Sequence, residues 1–254
     1  MLAVERRARI EQLIMKNKSV LVLELAKQFD VTTETIRSDL EKLEKQGVLV
    51  RTYGGATLVE TLEPDMEIHK RDTVNFEGKQ SIGKCAADMI KEGETVFLDA
   101  STSSLHLARN IKDKKGITVI TNAEKIVAEL AECDNIRVIC TGGMLHKKNM
   151  SYIGRIVEET IRANYYANKV FFSCRGVTLN RGLMESTEAE AEIKKAMIES
   201  SESAIFLCDK QKLGRLGVPV ISSLDRIDCI ITDIKLDEEW NRALEEKDVR
   251  IINV

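Results

Sequence analysis

Hydrophobic positions near the start of the chain fall into three short helical stripes. Ile10, Leu13 and Ile14 recur at i, i+3 and i+4, and Val22, Leu25, Ala26 and Phe29 repeat the pattern. After the polar break Asp30-Val31-Thr32, the residues Ile36, Leu40 and Leu43 form a third stripe. Thr32 is placed to cap that third helix, Glu34 suits the positive end of its dipole, and Gly47 predicts its stop. The period then changes to two. Val48 to Tyr53 alternates, turns at Gly54-Gly55 and alternates again, which predicts a two-stranded wing.

Three apolar stripes of this length bury themselves against one another. With Ile36, Leu40 and Leu43 turned inward, Thr33, Arg37 and Ser38 point out near the front of the third helix, as a recognition helix presents its first turns to base edges. Short hydroxyl side chains there (Thr32, Thr33, Thr35, Ser38) permit close approach, and Arg37 suits a bidentate contact to guanine. Arg51, Tyr53, Gly54 and Gly55 of the wing are expected to meet phosphates or a minor groove. Arg6, Arg7, Arg9 and Lys16 are expected around the first helix's apolar face. A solvated helical hairpin is the competing reading. The coincidence of three stripes, a capped third helix and a basic Gly-Gly wing favours double-stranded DNA as the partner.

From about residue 75 the pattern alternates short apolar runs ("ETVFLD", "ITVITN", "IRVICTGG", "KVFFSCRG", "AIFLCD", "IDCIITD", "VRIINV") with amphipathic stretches such as "AEKIVAELAE" and "EAEIKKAMIES". Near-continuous apolar strands joined by helices imply a parallel sheet covered on both faces. The expected organisation is α/β: a winged helix-turn-helix over residues 1–57, a linker over 58–74 and a sheet domain over 75–254. Polar residues gather where the strands end: Asp99, Thr121-Asn122, Thr141-Gly142-Gly143, Ser173 with Arg175-Gly176, and Asp209. In an open parallel sheet these ends share one edge, where ligands bind. The mixture suggests a polyhydroxylated ligand. Ser101, Thr102, Ser103 and Ser104 lie between a strand and a helix, where hydroxyls and free N–H groups converge on an anion, with Arg175 and Lys212 as countercharge. One serine alone would be read as a helix cap.

Net charge divides unevenly. Residues 1–57 carry +2 and the remainder −5, for a total of −3, which is consistent with a small DNA-binding head on an acidic body. The six cysteines are scattered without a C-x-x-C pair and read as small buried hydrophobes in a reducing cytosol. His69, His106 and His146 are dispersed, so no metal or cofactor is expected, and nucleotide loops of the G-x-x-x-x-G-K-[ST] or G-x-G-x-x-G type are absent. No apolar run approaches bilayer length and the start is charged, which predicts a cytoplasmic protein without membrane contact. A sugar-phosphate isomerase with a DNA-binding appendage is the second functional class. Asp99, Asp209 and Lys212 would then act as acid, base and electrophile. Glu185 and Glu188 are the candidate bases, read otherwise as a solvated helix start.

Over nearly its full length the chain resembles the DeoR family of bacterial transcriptional regulators. The resemblance rests on Arg6, Ile10, Ile14, Thr32-x-x-Thr35-Ile36-Arg37-x-Asp39-Leu40 and the wing "RTYGGA". In the body it rests on Asp99-Ala100-Ser101-Thr102-Ser103, Thr121-Asn122, Gly142-Gly143 and Asp209 to Gly214 with Lys212. It implies a C-terminal sensor similar to ribose-5-phosphate isomerase. It also implies a phosphorylated sugar effector that changes operator affinity, usually by releasing a repressor, and a homodimer or homotetramer. With Arg175 and Gly176 from the strand-end reading, the expected effector residues are Asp99, Ser101, Thr102, Ser103, Thr121, Asn122, Gly142, Gly143, Arg175, Gly176, Asp209 and Lys212. Three positions depart from the family pattern. Ser38 replaces a second basic residue, Leu21 replaces a Ser/Thr cap, and Ser101 replaces a glycine, where it narrows the phosphate seat or adds a hydrogen bond.

Overall fold

Helices form at the N-terminus where the stripes place them, and each buries the stripe that defines it. The computed structural model describes residues 2–17, 19–45, 48–52, 54–58 and 66–254. Two compact units divide the chain near residue 64. The first contains α1 (Ala3–Asn17), β1 (Ser19–Leu21), α2 (Val22–Phe29), α3 (Thr33–Lys45), β2 (Leu49–Thr52) and β3 (Gly55–Leu58). Ile10, Ile14, Leu25, Ile36, Leu40 and Leu43 close its core, joined by Val20, Leu49 and Ala56 from the strands.

Two features differ from expectation and one follows it. The wing is a three-stranded antiparallel sheet of order β1-β3-β2, because Ser19–Leu21 adds a strand with Val20 facing inward. Gly55 permits that pairing: a Cβ there would stand 2.1 Å from the Val20 carbonyl oxygen. Second, Leu21 flanks α2 without a side-chain cap, as its departure from the family pattern anticipates. Third, Arg6 does not lie on the outer face of α1 but is buried. Its Nε donates to Asp39 Oδ2 at 2.5 Å, and Arg7 Nη1 donates to Asp39 Oδ1 at 3.2 Å. Arg6 precedes Ile10 and Ile14 at four-residue spacing, so it occupies the core stripe and needs a buried anion. Gly47, Tyr53 and residues 59–65 of the expected linker lie outside the described residues.

The second unit holds α4 (Ile68–Thr73), α5 (Phe76–Asp88), β4 (Thr95–Leu98), α6 (Thr102–Asn110), β5 (Ile117–Thr121), α7 (Glu124–Leu130) and β6 (Ile136–Cys140). A hairpin, β7 (Met144–His146) with β8 (Ser151–Ile153), precedes α8 (Arg155–Asn164) and β9 (Ala167–Phe172). Then follow β10 (Gly176–Thr178), β11 (Gly182–Met184), α9 (Glu188–Glu199), β12 (Ser201–Cys208), β13 (Val220–Ser222), β14 (Cys229–Thr232), α10 (Glu238–Glu245) and β15 (Arg250–Asn253). The expected parallel sheet has seven strands in the order β15-β14-β12-β9-β4-β5-β6, every pair parallel. The chain builds outward from β4 through β5 to β6, then returns to β9 and builds the other way. The order therefore reverses between β4 and β9.

Apolar residues cover both faces. Val96, Leu98, Val119, Phe171 and Leu207 pack with α5, α6 and α7, while Phe97, Val170, Phe172 and Phe206 are buried on the other side. Part of the segment expected as an unpatterned linker is α4, whose Ile68 is buried and whose Asp72 pairs with Arg109 Nη2 at 3.1 Å. A charged six-residue helix with one apolar anchor leaves no periodicity to read. The cysteines are all free. Cys174, Cys208 and Cys229 are buried as expected, but Cys85 and Cys133 are half-buried and Cys140 is exposed.

Removing one partner of a buried ion pair strands the other, at a cost of about 3–5 kcal/mol. The Asp39→Ala chain is expected to lose that much stability in its N-terminal unit, measured by urea unfolding of the full chain followed by far-ultraviolet circular dichroism.

Candidate functional site

At the front of α3, Thr32 Oγ1 accepts the Thr35 N–H at 3.2 Å and lies 2.9 Å from the Thr35 hydroxyl, so it caps the helix as expected. Arg37 and Ser38 are exposed, while Thr33 and Thr35 are half-buried. Arg37 Nη1 donates to Glu34 Oε1 at 3.2 Å, an exposed pair one turn apart. Such pairs contribute at most about 1 kcal/mol and break readily for a better acceptor. Arg51 is held more firmly: its backbone N–H and its Nε donate to the two oxygens of Glu44, at 3.0 and 3.1 Å. The exposed Gly54 stands at the wing's turn beside the buried Gly55.

In the body, the expected residues converge on the strand ends at the reversal point, but they divide into a scaffold and a cavity wall. Asp99 belongs to the scaffold and is fully engaged. Its Oδ1 accepts the Ser101 N–H (3.2 Å), the Ser101 hydroxyl (2.6 Å) and the Ser104 hydroxyl (2.5 Å). Its Oδ2 accepts the Ser173 N–H at 3.1 Å and stands 3.0 Å from Lys194 Nζ. Ser101 caps α6 by accepting the Ser104 N–H at 3.1 Å. The serine that replaces a glycine thus adds a hydrogen bond within the protein.

Thr121 also serves the scaffold, donating to the Leu98 carbonyl at 2.7 Å and accepting the Ala123 N–H at 3.0 Å. Gly142 and Gly143 both have positive φ, and a Cβ on Gly143 would stand 2.4 Å from Val157 Cγ2, so this loop is shaped for close approach to α8. Asp209 is buried beneath its own turn, accepting the Gln211 N–H at 3.0 Å. Arg175 and Gly176 are buried and lie outside the cavity wall, as does Ser103.

Beside this scaffold is a small cavity in which a water's centre has about 20 Å³ to move. Ser101, Thr102, Asn122 and Lys212, four of the expected effector residues, line it. Ser173, expected at the strand-end edge, and Glu185, expected only as a base of the isomerase alternative, line it as well, together with Arg71, Cys174, Glu190, Ile193 and Lys194, which sequence reasoning did not assign to ligand. Glu190, Ile193 and Lys194 share one face of α9 with the buried Met197. The discoverable signal was two charges standing where the helical stripe calls for apolar residues. Glu185 is not on a solvated helix start. It is buried before α9, with one oxygen on Lys194 Nζ and the other accepting the Ser186 N–H at 2.8 Å. Glu188 is exposed.

Burial opposes the charge of Lys194, but Glu185, Asp99 and Glu190 together outweigh it and hold its pKa above the ordinary lysine range. Lys194 is therefore a fixed cation, already neutralised. Lys212 stands 3.9 Å from Asp209, and Arg71 Nη2 donates to the neutral amide of Asn149 at 2.8 Å. Glu190 Oε1 accepts Asn149 Nδ2 (2.6 Å) and the Ser151 hydroxyl (2.9 Å). Two wall atoms are buried without a partner: Arg71 Nε and Asn122 Oδ1. Burial pushes the Cys174 thiol up to about 12, so it is an inert wall residue. Cations, carboxylates and one free amide oxygen around one small space match a ligand with both an anionic group and hydroxyls.

Residues 6–62 match the family model described as the DeoR-like helix-turn-helix domain, and residues 74–234 match the DeoR C terminal sensor domain. The chain belongs to the DeoR family of transcriptional regulators. It is 39% identical over 254 residues to the HTH-type transcriptional regulator YulB of Bacillus subtilis, covering 100% of this chain and 98% of that one. It is 31% identical to the L-fucose operon activator of Haemophilus influenzae (96% and 97% covered) and 31% identical to the transcriptional repressor AccR of Agrobacterium fabrum (90% and 89%). A ribose-5-phosphate isomerase in complex with phospho-erythronic acid aligns with 54% of each chain at 14% identity and a TM-score of 0.41, too remote to bear on function. Among the described residues no helix is long and apolar enough to cross a membrane.

Lys79 is buried, its Nζ donating to the carbonyl of the cavity-wall residue Arg71 and, at 2.6 Å, to the Val74 carbonyl. Burial, reinforced by Lys212 and Arg71 and opposed by Asp209 and Asp72, brings its pKa down to about 8. Between that value and the unfolded lysine pKa of about 10.4, the unfolded chain binds more protons, so the Lys79 contribution to stability rises with pH. The buried thiols act in the opposite direction, since their pKa values are raised. The expected outcome is therefore a difference: the stability advantage of wild type over Lys79→Met grows between pH 8 and pH 10, measured by urea unfolding at each pH.

Proposed function

We propose that the protein is a cytoplasmic repressor of a carbohydrate-metabolism operon, released from its operator by a phosphorylated sugar held in the switch-point cavity. The observation that carries the sensing half is the cavity wall itself, where Arg71 Nε and Asn122 Oδ1 are buried without partners between Lys212, Glu185 and Glu190. Cationic groups take the phosphate, while carboxylates and the amide oxygen accept sugar hydroxyls. Support for a sugar-related operon comes from the relative named as an L-fucose operon activator, and support for repression from the relative named as a transcriptional repressor.

The DNA-binding half rests on the front of α3. Arg37 exchanges its Glu34 pair for a guanine edge, Ser38 and Thr33 approach the backbone closely, and Gly54 with Gly55 lets the wing track the groove. Arg51, already bound to Glu44, serves first to brace the wing and second as a phosphate contact. A homodimer or homotetramer reading symmetric half-sites fits this arrangement. The domain limits proposed are 1–57 for DNA binding, 58–74 for the linker and 75–254 for sensing, except that α4 at the end of the linker joins the sensing body, which then begins at residue 68.

Two outcomes test the reading. In a gel-shift titration against an operator selected from random duplexes, Arg37→Ala is expected to lose about 1–3 kcal/mol and to relax base preference at one position. In a thermal-shift screen, one or more of ribose 5-phosphate, fructose 1-phosphate, fructose 6-phosphate and glucosamine 6-phosphate is expected to raise the melting temperature of the wild type. Lys212→Ala is expected to lose that shift while keeping operator affinity. No shift with any phosphate, or an equal shift in Lys212→Ala, removes this placement of the effector.

A further inference from the structure

The chain passes from the first unit into the body near residue 64, and residues 65–67, the connecting segment, lead into α4 (Ile68–Thr73), the first helix of the body. Polar contacts hold it at both ends. At its front, the Ile68 N–H donates to the Lys148 carbonyl in the turn between β7 and β8, at 3.1 Å. At its back, Lys79 Nζ closes on the carbonyls of Arg71 and Val74. Between them, Arg71 Nη2 donates to Asn149 Oδ1, and Asn149 passes the connection to Glu190 in the cavity wall.

Arg71 Nε is buried in that wall and has no acceptor. A buried guanidinium N–H left unpaired is costly, and an acceptor entering the cavity removes the cost. Guanidinium also presents its N–H groups as a planar fork that matches two phosphate oxygens. Lys194 is bound by Glu185 and Asp99, and Lys212 has Asp209 nearby, whereas Arg71 faces a neutral amide.

We propose that Arg71 is both the phosphate ligand of the effector and the coupling residue that passes occupancy to the connecting segment. Turning the guanidinium onto a phosphate competes with its bond to Asn149, and the helix that carries Arg71 is the one that the connecting segment enters. The inference rests on the sugar-phosphate reading of the cavity and deepens it: Lys212 contributes to affinity, and Arg71 contributes to affinity and to coupling.

The test uses the intact chain with ribose 5-phosphate, fructose 1-phosphate, fructose 6-phosphate and glucosamine 6-phosphate as probes. Probe affinity is read by titration calorimetry, and operator affinity by fluorescence anisotropy with probe absent and saturating. In the wild type, saturating probe is expected to weaken operator binding at least roughly tenfold, a coupling of about 1.4 kcal/mol. Arg71→Gln is expected to keep unliganded operator affinity within about twofold, to bind probe about tenfold more weakly, and to shrink the operator shift at saturation below about twofold. Arg71→Lys restores charge without the fork, so it regains part of the probe affinity and little of the shift. If Arg71→Gln fails to fold, Arg71→Lys carries the same test.

A full operator shift in the variant at saturating probe overturns the coupling role. So does a large loss of operator binding before any probe is added, which would mark Arg71 as structural. A wild type that binds probe with no operator shift also overturns the coupling, while the cavity reading stands. A wild type that binds none of the probes overturns the cavity reading itself, and the coupling with it.

Discussion

One carboxylate holds the candidate site together. The strand order reverses between β4 and β9, so the chain leaves these neighbouring strands in opposite directions and opens a crevice at their carboxyl ends. Asp99 sits at that divide, with Oδ1 receiving the turn that follows β4 and Oδ2 receiving the Ser173 N–H that follows β9. A buried carboxylate is tolerable only with its lone pairs satisfied, and Lys194 supplies the remaining countercharge. Lys194 in turn reaches Glu185, so α9 and the segment before it are drawn toward the same point. The crevice keeps its shape because these groups are committed to one another, and any ligand has to work with the groups left over.

That division explains which parts of the site were legible in the sequence. Strand-ending polar residues announce the functional edge of a parallel sheet, and Asp99, Ser101, Asn122 and Lys212 were found that way. The pattern does not say which of them face the protein and which face the space. Asp99 and Thr121 read as ligand groups until their donors and acceptors are counted, and then both prove to be engaged. Arg71, Glu190 and Lys194 come from helices, where a charge ordinarily means solvent. Their burial depends on which helix face meets the sheet edge, a tertiary fact. In the first unit the same limit hid Arg6: its spacing from Ile10 and Ile14 put it in the core stripe, but its partner Asp39 lies on a different helix. The three stripes, the cap at Thr32 and the parallel sheet were legible because each is set by local periodicity and turn chemistry. The strand Ser19–Leu21 was not, because three residues are too few to show a period.

The two faces proposed to meet outside molecules are built on opposite principles. At the front of α3 the ion pair between Arg37 and Glu34 is exposed and weak, so the guanidinium is available at little cost and DNA can claim it without disturbing the core. Behind it, the ion pairs of Arg6 and Arg7 with Asp39 are largely buried and fix the helix that carries Arg37. Rigid support beneath an adjustable contact surface is what reading a duplex requires.

The cavity has the converse arrangement, a rigid centre with adjustable walls. With about 20 Å³ open to a water's centre, it holds roughly one water and is too small for a phosphate as it stands. The proposed ligand would therefore enter only by moving side chains, those that cost least first. Lys194 is expensive to displace, since that strips two carboxylates of their partner. Lys212, 3.9 Å from Asp209, and Arg71, hydrogen-bonded to an amide, are the cheaper walls. A ligand shifts a conformational equilibrium only by the difference in its affinity for the two states. Under the proposed reading, that difference would arise where the walls yield, at the turn after β12 and at α4, and not at the carboxylate hub.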